Sequence, residues 1–222
     1  TTLFRSAAYS LTLPHTPPRT DAVGLDRFAW LRAGRLLAVP HVLVLFTVIL
    51  IDAVVHNGYF VVIDGFLSQV GISAKMTMVV SSIGQMAEIV TMVILGAVLK
   101  KLGWKWTMIV GVLGHVVRYS IFSFFGTPEY QWLVVAIQAL HGICYAFFFA
   151  TVYIYVDAVF PADVRTSAQG AANLLILGAG MVFASQLFPR LVAHFIRIDS
   201  LVVPFVDYGK LFLIPTAMAV GA

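Results

Sequence analysis

The chain has 222 residues, 60% of them hydrophobic and only 11% charged, with a formal net charge of +4 and a mean hydropathy of +0.95. This composition excludes an ordinary soluble domain, and its long continuous apolar runs exclude a membrane barrel, whose strands alternate over short segments. The charge is therefore read as a signal of membrane topology rather than of nucleic-acid binding.

The opening TTLFRS (Thr1 to Ser6) resembles the translated end of a sequencing adapter and is set aside as an artefact. Residues 7–35 mix polar and apolar positions and carry Arg19, Arg27, Arg32 and Arg35, as expected of a cytoplasmic linker ending a preceding segment. A helix needs about 20 apolar residues to cross roughly 30 Å of hydrocarbon. On that scale spans are predicted at 36–67, 75–99, 106–125, 131–157, 168–196 and from 208 onward. The last stops at Ala222, short of a full crossing, so the chain reads as truncated at both ends. The short connections make consecutive spans antiparallel neighbours. Residues 36–222 thus form one all-α, six-helix transmembrane bundle.

Basic residues accumulate on the cytoplasmic side of a membrane protein. The arginines before the first span, then Lys100, Lys101 and Lys105, then Arg165 mark three cytoplasmic segments. The intervening loops, 68–74 and 126–130, carry almost no Lys or Arg and are placed outside. Arg190, Arg197 and Lys210 run against the pattern, with Asp199 and Asp207 as offsets.

Ionisable groups at the bilayer centre cost about 2.5 to 3.5 kcal/mol on insertion scales, so each needs a reason. At about 1.5 Å per residue, Asp52, His56, Glu88, His115, Arg118 and His141 all fall near mid-depth on four spans. Ser81, Gln85 and Glu88 share one face of the second span, and Gln138, His141 and Tyr145 share one face of the fourth. Two such stripes suit a common cavity in which Glu and Gln hold hydroxyls or base edges and Tyr145 offers a ring for stacking. A carboxyl taken out of water favours its neutral form, the property a proton carrier needs. Competing roles are plain helix–helix hydrogen bonding for Ser81 and Gln138, and packing for His141. Arg118, with no acid on its own helix, is read as a structural charge paired across the bundle, with Asp52 or Glu88. Gly178 and Gly180 are read as close helix-packing positions. The lone Cys144, inside an apolar run, is read as packing and excludes a disulfide framework. No phosphate loop, zinc-protease helix, nucleophile elbow or Cys/His metal spacing is present, so neither an enzyme nor a cofactor or metal site is expected.

Several segments together resemble the nucleoside:proton symporter family of the major facilitator superfamily. They are LTLPHTPP near the start, SIGQMAEIV in the second span, LKKLGWKWTMIVG across the cytoplasmic turn, VVRYSIFSFFG in the third span, HGICYAFFF in the fourth and VRTSAQG before the fifth. The resemblance runs in order over roughly residues 8–196. It implies a twelve-helix, inner-membrane carrier that works by alternating access, with this chain as the C-terminal half and an N-terminal six-helix half as its partner in the bilayer. It further implies that Gln85 and Glu88 contact nucleoside, that His141 and Tyr145 stand at aromatic substrate contacts, and that His56 and Asn57, near HNGYF, add polar ones. The family pattern places an Asp directly after the second aromatic, where this chain has Ala146. Proton coupling would then fall to Glu88, Asp52 or His141. The alternatives are a carrier of another polar solute, such as a sugar, or a membrane module that binds a partner without transport.

Overall fold

The computed structural model describes residues 38–197 and 205–222, with Tyr9 and Thr12. Thr1 to Ser6, the rest of the linker at 7–35 and Asp199 lie outside the described residues. Four helical rods here are long and apolar enough to cross a membrane. Helix α1 (Pro40–Gln69) begins with Pro40, whose missing N–H costs nothing in a first turn. It ends on Gly71, at φ +96°, where the Ile72 N–H reaches back to the Leu67 carbonyl.

Helix α2 (Ala74–Phe125) runs 52 residues, more than twice a crossing, and Gly103 breaks it with φ 72° and ψ 176°. Contacts along α3 (Pro128–Val159) show what the break does. On the first arm, residues 74–102, Gly84 lies against His141, Ala87 and Glu88 against Gly142, and Leu95 joins Ala146 and Phe147. On the second arm, residues 104–125, Gly111 lies against Phe148, Gly114 against Cys144, and Arg118 reaches His141. The first arm climbs α3 as the second descends it, so Gly103 makes an antiparallel hairpin of two spans around one helix.

Helix α4 packs on α1, with Gly180 against Ala53 and Gly58 beneath the Phe188 ring. It comprises Ala162–Asn173, a π-helical turn at Leu174–Ala179, and Gly180–Phe195. A second π turn, Tyr145–Ala150, interrupts α3. Strands β1 (Ile196–Arg197) and β2 (Phe205–Val206) pair antiparallel between α4 and α5 (Tyr208–Gly221).

One end of the bundle gathers Gln69, Ser123 and the strand pair. The Gln69 amide donates to the Val206 carbonyl at 2.8 Å, and Ser123 Oγ donates to the Gly209 carbonyl at 2.5 Å. The opposite end gathers Trp104, Tyr155 and Arg165, with the first two rings 5.7 Å apart. The alternation required of sequential spans is therefore built. At the first end Asp207 takes both Arg197, at 2.9 Å, and Lys210, at 3.6 Å, which supplies part of the offset expected there.

Span positions agree with the sequence except at the ends. The fifth helix begins at Ala162 rather than 168, because hydropathy marks the hydrocarbon segment while the polar turn ADVRTS continues the helix beyond it. Nothing in the apolar pattern announces the two π turns. Of the paired glycines, Gly180 is a helix-crossing position, but the nearest side chain to Gly178 is Leu174 of its own helix. Gly178 is therefore not a packing position between described helices.

Candidate functional site

Two apolar clusters fill the bundle. One, around Phe66, Phe122, Phe188 and Phe212, sits toward the Gln69 end. The other, around Phe46, Phe148, Phe149 and Val156, sits toward the Gly103 end. The polar groups read at mid-depth form a layer between them. Asp52, His115, Arg118 and Gln138 are fully buried, and His56 and His141 nearly so.

Within this layer each side chain comes from a defined helix face. From α1, Asp52, His56 and Tyr59 follow i, i+4, i+7 spacing. From the second arm of α2, His115 and Arg118 project from the same side, and α3 supplies Gln138 and His141. Arg118 Nη1 stands 2.6 Å from His141 Nδ1. Because guanidinium has only donors, Nδ1 is the acceptor, and a neutral His141 carries its ring proton on Nε2. The same guanidinium lies 4.4 Å over the Tyr59 ring, whose hydroxyl donates to Gln138 Oε1 at 2.9 Å. His115 Nε2 is 3.7 Å from Asp52 Oδ2. Tyr119 donates to the Val55 carbonyl at 2.7 Å, tying this arm to α1.

The expected pairing of Arg118 with Asp52 or Glu88 is corrected by this geometry. Among the described residues no acid lies within 4.0 Å of Arg118, which bonds His141, while Asp52 faces His115. Three helix faces converge here, and spacing along one helix says nothing about which neighbour lies opposite.

The candidate substrate residues divide into two groups. His56, His141 and Tyr145 are together: the His56 ring stacks on His141 at 4.7 Å and lies 5.7 Å from Tyr145. Gln85 is exposed and Glu88 half-buried on a face of the first α2 arm shared with Ile89, Met92 and Val93. This face borders the aromatic group, since Glu88 backbone lies where a Gly142 side chain would have to go, one turn before Tyr145 on α3. Asn57 does something else. Its amide donates to the Ala53 carbonyl at 2.8 Å and to the Ile176 carbonyl at 3.0 Å, satisfying the π turn of α4. Both of its donors are thereby spent on packing. Gln138 accepts from Tyr59, as a helix-joining amide would. Cys144 packs against Gly114. Ala146 is buried in an apolar cluster with Leu95, Phe147, Val110 and Ile143.

Sequence reasoning missed Tyr59 as the bridge between Arg118 and Gln138. Its position three residues beyond His56 and seven beyond Asp52, on the polar face of α1, was the available signal.

Comparison with known proteins bears on this arrangement. The family described as Nucleoside H+ symporter matches residues 2–222. The chain is 31% identical over 182 residues to the putative nucleoside transporter YegT of Escherichia coli K12, covering 81% of this chain and 42% of that protein. It is 24% identical to the xanthosine permease of the same organism, covering 85% and 48%. A crystal structure of the nucleoside transporter NupG, an aspartate-to-alanine mutant, superposes with a TM-score of 0.78 at 19% identity, over 96% of this chain and 55% of that one. That likeness shows the fold, one half of a major-facilitator helical bundle. The chain spans about half the length of the curated relatives it matches. It is a multi-pass membrane protein and belongs to the nucleoside H+ symporter family.

Proposed function

We propose that this chain is the C-terminal half of a secondary transporter that moves nucleosides with protons by alternating access. Residues 36–222 supply the six-helix half and residues 7–35 the tail of the cytoplasmic linker before it. The lysine-bearing turn at Gly103 faces the cytoplasm of an inner membrane. The relatives' names supply the solute class, since YegT is a putative nucleoside transporter and the permease is for xanthosine.

The observation that carries the reading is the placement of Gln85 and Glu88. An exposed amide and a half-buried carboxyl at mid-depth, on a face that the described helices leave open, are costly against lipid and useful against a second half. Such a face binds ribose hydroxyls or base edges, and Tyr145, with His56 and His141 behind it, offers the stacking surface. The N-terminal half completes the cleft, and closure from either side carries the nucleoside across. Protons enter through one of Glu88, Asp52 and His141.

Uptake of radiolabelled uridine by cells carrying the whole transporter tests this. Excess unlabelled nucleoside competes and excess sugar does not. Competition by sugar alone would overturn the solute class.

A further inference from the structure

The buried layer contains more polar atoms than it satisfies. Both Asp52 carboxyl oxygens, both His115 ring nitrogens, His56 Nδ1, and Arg118 Nε and Nη2 are buried without a hydrogen-bond partner. Buried polar groups are ordinarily paired, and a fully buried carboxyl with no donor is rare unless its charge state changes in use. We propose that Asp52 and His115 together form the proton-binding site of the transport cycle, with His56 linking them to the substrate cleft and Arg118 as the fixed counter-charge. This rests on the proton-coupled reading above and names the residues that serve it.

Geometry separates the three candidates. His141 is disqualified by the Arg118 donor at 2.6 Å, which occupies the Nδ1 lone pair and places a permanent positive charge against the ring. Glu88 lies on the open face, where substrate must reach it. Asp52 and His115 remain, 3.7 Å apart and fully enclosed. Only a small movement brings them into hydrogen-bond contact. The groups facing them are Arg118 and Tyr119 from the same α2 arm, His56 from α1, and His141 and Cys144 from α3. On the α4 side the helix meets Gly180 and Ile176, which carry no charge.

The proton balance is simple. With Asp52 ionised and His56, His115 and His141 all neutral, the layer holds Arg118 positive and Asp52 negative, net zero. One proton from the outside water adds to the Asp52–His115 pair, shared between Oδ2 and Nε2, and leaves the layer net positive. Release to the opposite side restores neutrality. Between these events the charge must be shielded by water or by a closing carboxylate, and Glu88 at the cleft is the nearest acid on the bordering helix. His56 is the natural conduit. Its ring touches His115 at 5.7 Å, His141 at 4.7 Å and Tyr145 at 5.7 Å, so it spans from the enclosed pair to the cleft.

The test uses the whole transporter, purified and reconstituted in liposomes, with two assays on each variant. Counterflow exchange of uridine needs binding and alternating access but no proton gradient. Uridine-induced proton uptake and accumulation driven by an imposed pH gradient need coupling. Asp52→Asn is expected to retain counterflow and to lose both coupled signals. His115→Gln, which keeps an amide near Asp52, is expected to retain counterflow and to move the pH midpoint of accumulation. Asp52→Asn that still accumulates uridine on a pH gradient overturns the proposal while leaving nucleoside symport intact. If Asp52→Asn does not reconstitute, His115→Gln with an unmoved pH midpoint overturns it instead. Wild-type counterflow without uridine-induced proton uptake would overturn the proton-coupled reading itself, a distinct result.

Discussion

The enclosed polar layer and the open face of α2 hold the same kinds of residue at the same depth, and the fold uses them differently. In the layer, Arg118, Gln138 and Tyr59 are matched to partners from other helices, so each is part of what holds the bundle together. On the open face, Gln85 has no described partner and Glu88 is only half-buried, so little of the bundle's stability depends on them. The lesson is that an intramembrane polar group is explained by what lies opposite it. Substitutions should therefore separate stability from transport, region by region.

The largest expected effect is on Arg118. Arg118→Met removes the one arginine among the described residues of the layer and leaves His141 Nδ1 without its donor. The change loses a hydrogen bond from a charged donor to His141, roughly 1.5 to 3 kcal/mol, together with a desolvated cation–π contact on Tyr59, about 2 kcal/mol. Folded yield from membranes, followed by size-exclusion chromatography, should collapse. A monodisperse Arg118→Met protein with normal yield would show that the layer does not hold the helices.

Gly142→Val comes next, since any side chain at Gly142 strikes the Ala87 and Glu88 backbone and pushes the first α2 arm off α3. Overpacking of this kind costs about 1 to 3 kcal/mol. Its thermal unfolding midpoint should fall and uptake should fall with it, because the Glu88 face moves. Tyr59→Phe is milder. It removes one donor to Gln138, and a net loss of about 1 kcal/mol is expected. A lower unfolding midpoint with unchanged uptake affinity checks it.

Topology gives a prediction without energetic cost. Cys144 is buried, so the chain has little background for thiol labelling. A cysteine replacing Thr127 should react with an impermeant outside reagent, and one replacing Lys101 should not. The reverse pattern would invert the bundle.

Much of this fold was legible from the apolar runs, because hydrocarbon thickness sets helix length and leaves few other solutions. The shared depth of Asp52, His56, His115, Arg118 and His141 was legible too, since depth follows from counting along each helix. The partners were not. Arg118 was expected to meet an acid and meets His141, because helix rotation and crossing are fixed by small residues such as Gly84, Gly114 and Gly142, whose contacts lie far apart in sequence. Asn57 serves the Ile176 carbonyl, a demand created by a π turn that no sequence period announces. Ala146 shows the opposite case. That an apolar residue stands there is plain in the sequence, and the apolar cluster around it accounts for why an alanine sits well.

The central claim is that the open face of α2 handles substrate while the enclosed layer holds the structure and the proton. Glu88→Gln in the whole transporter tests it most directly, with uridine uptake at limiting concentration and the thermal unfolding midpoint measured on the same preparation. Uptake is predicted to fall by about tenfold or more, the loss of roughly 1.4 kcal/mol of binding, while the unfolding midpoint stays at the wild-type value. Normal uptake, or an unfolding midpoint that falls as it does for Gly142→Val, would contradict the account.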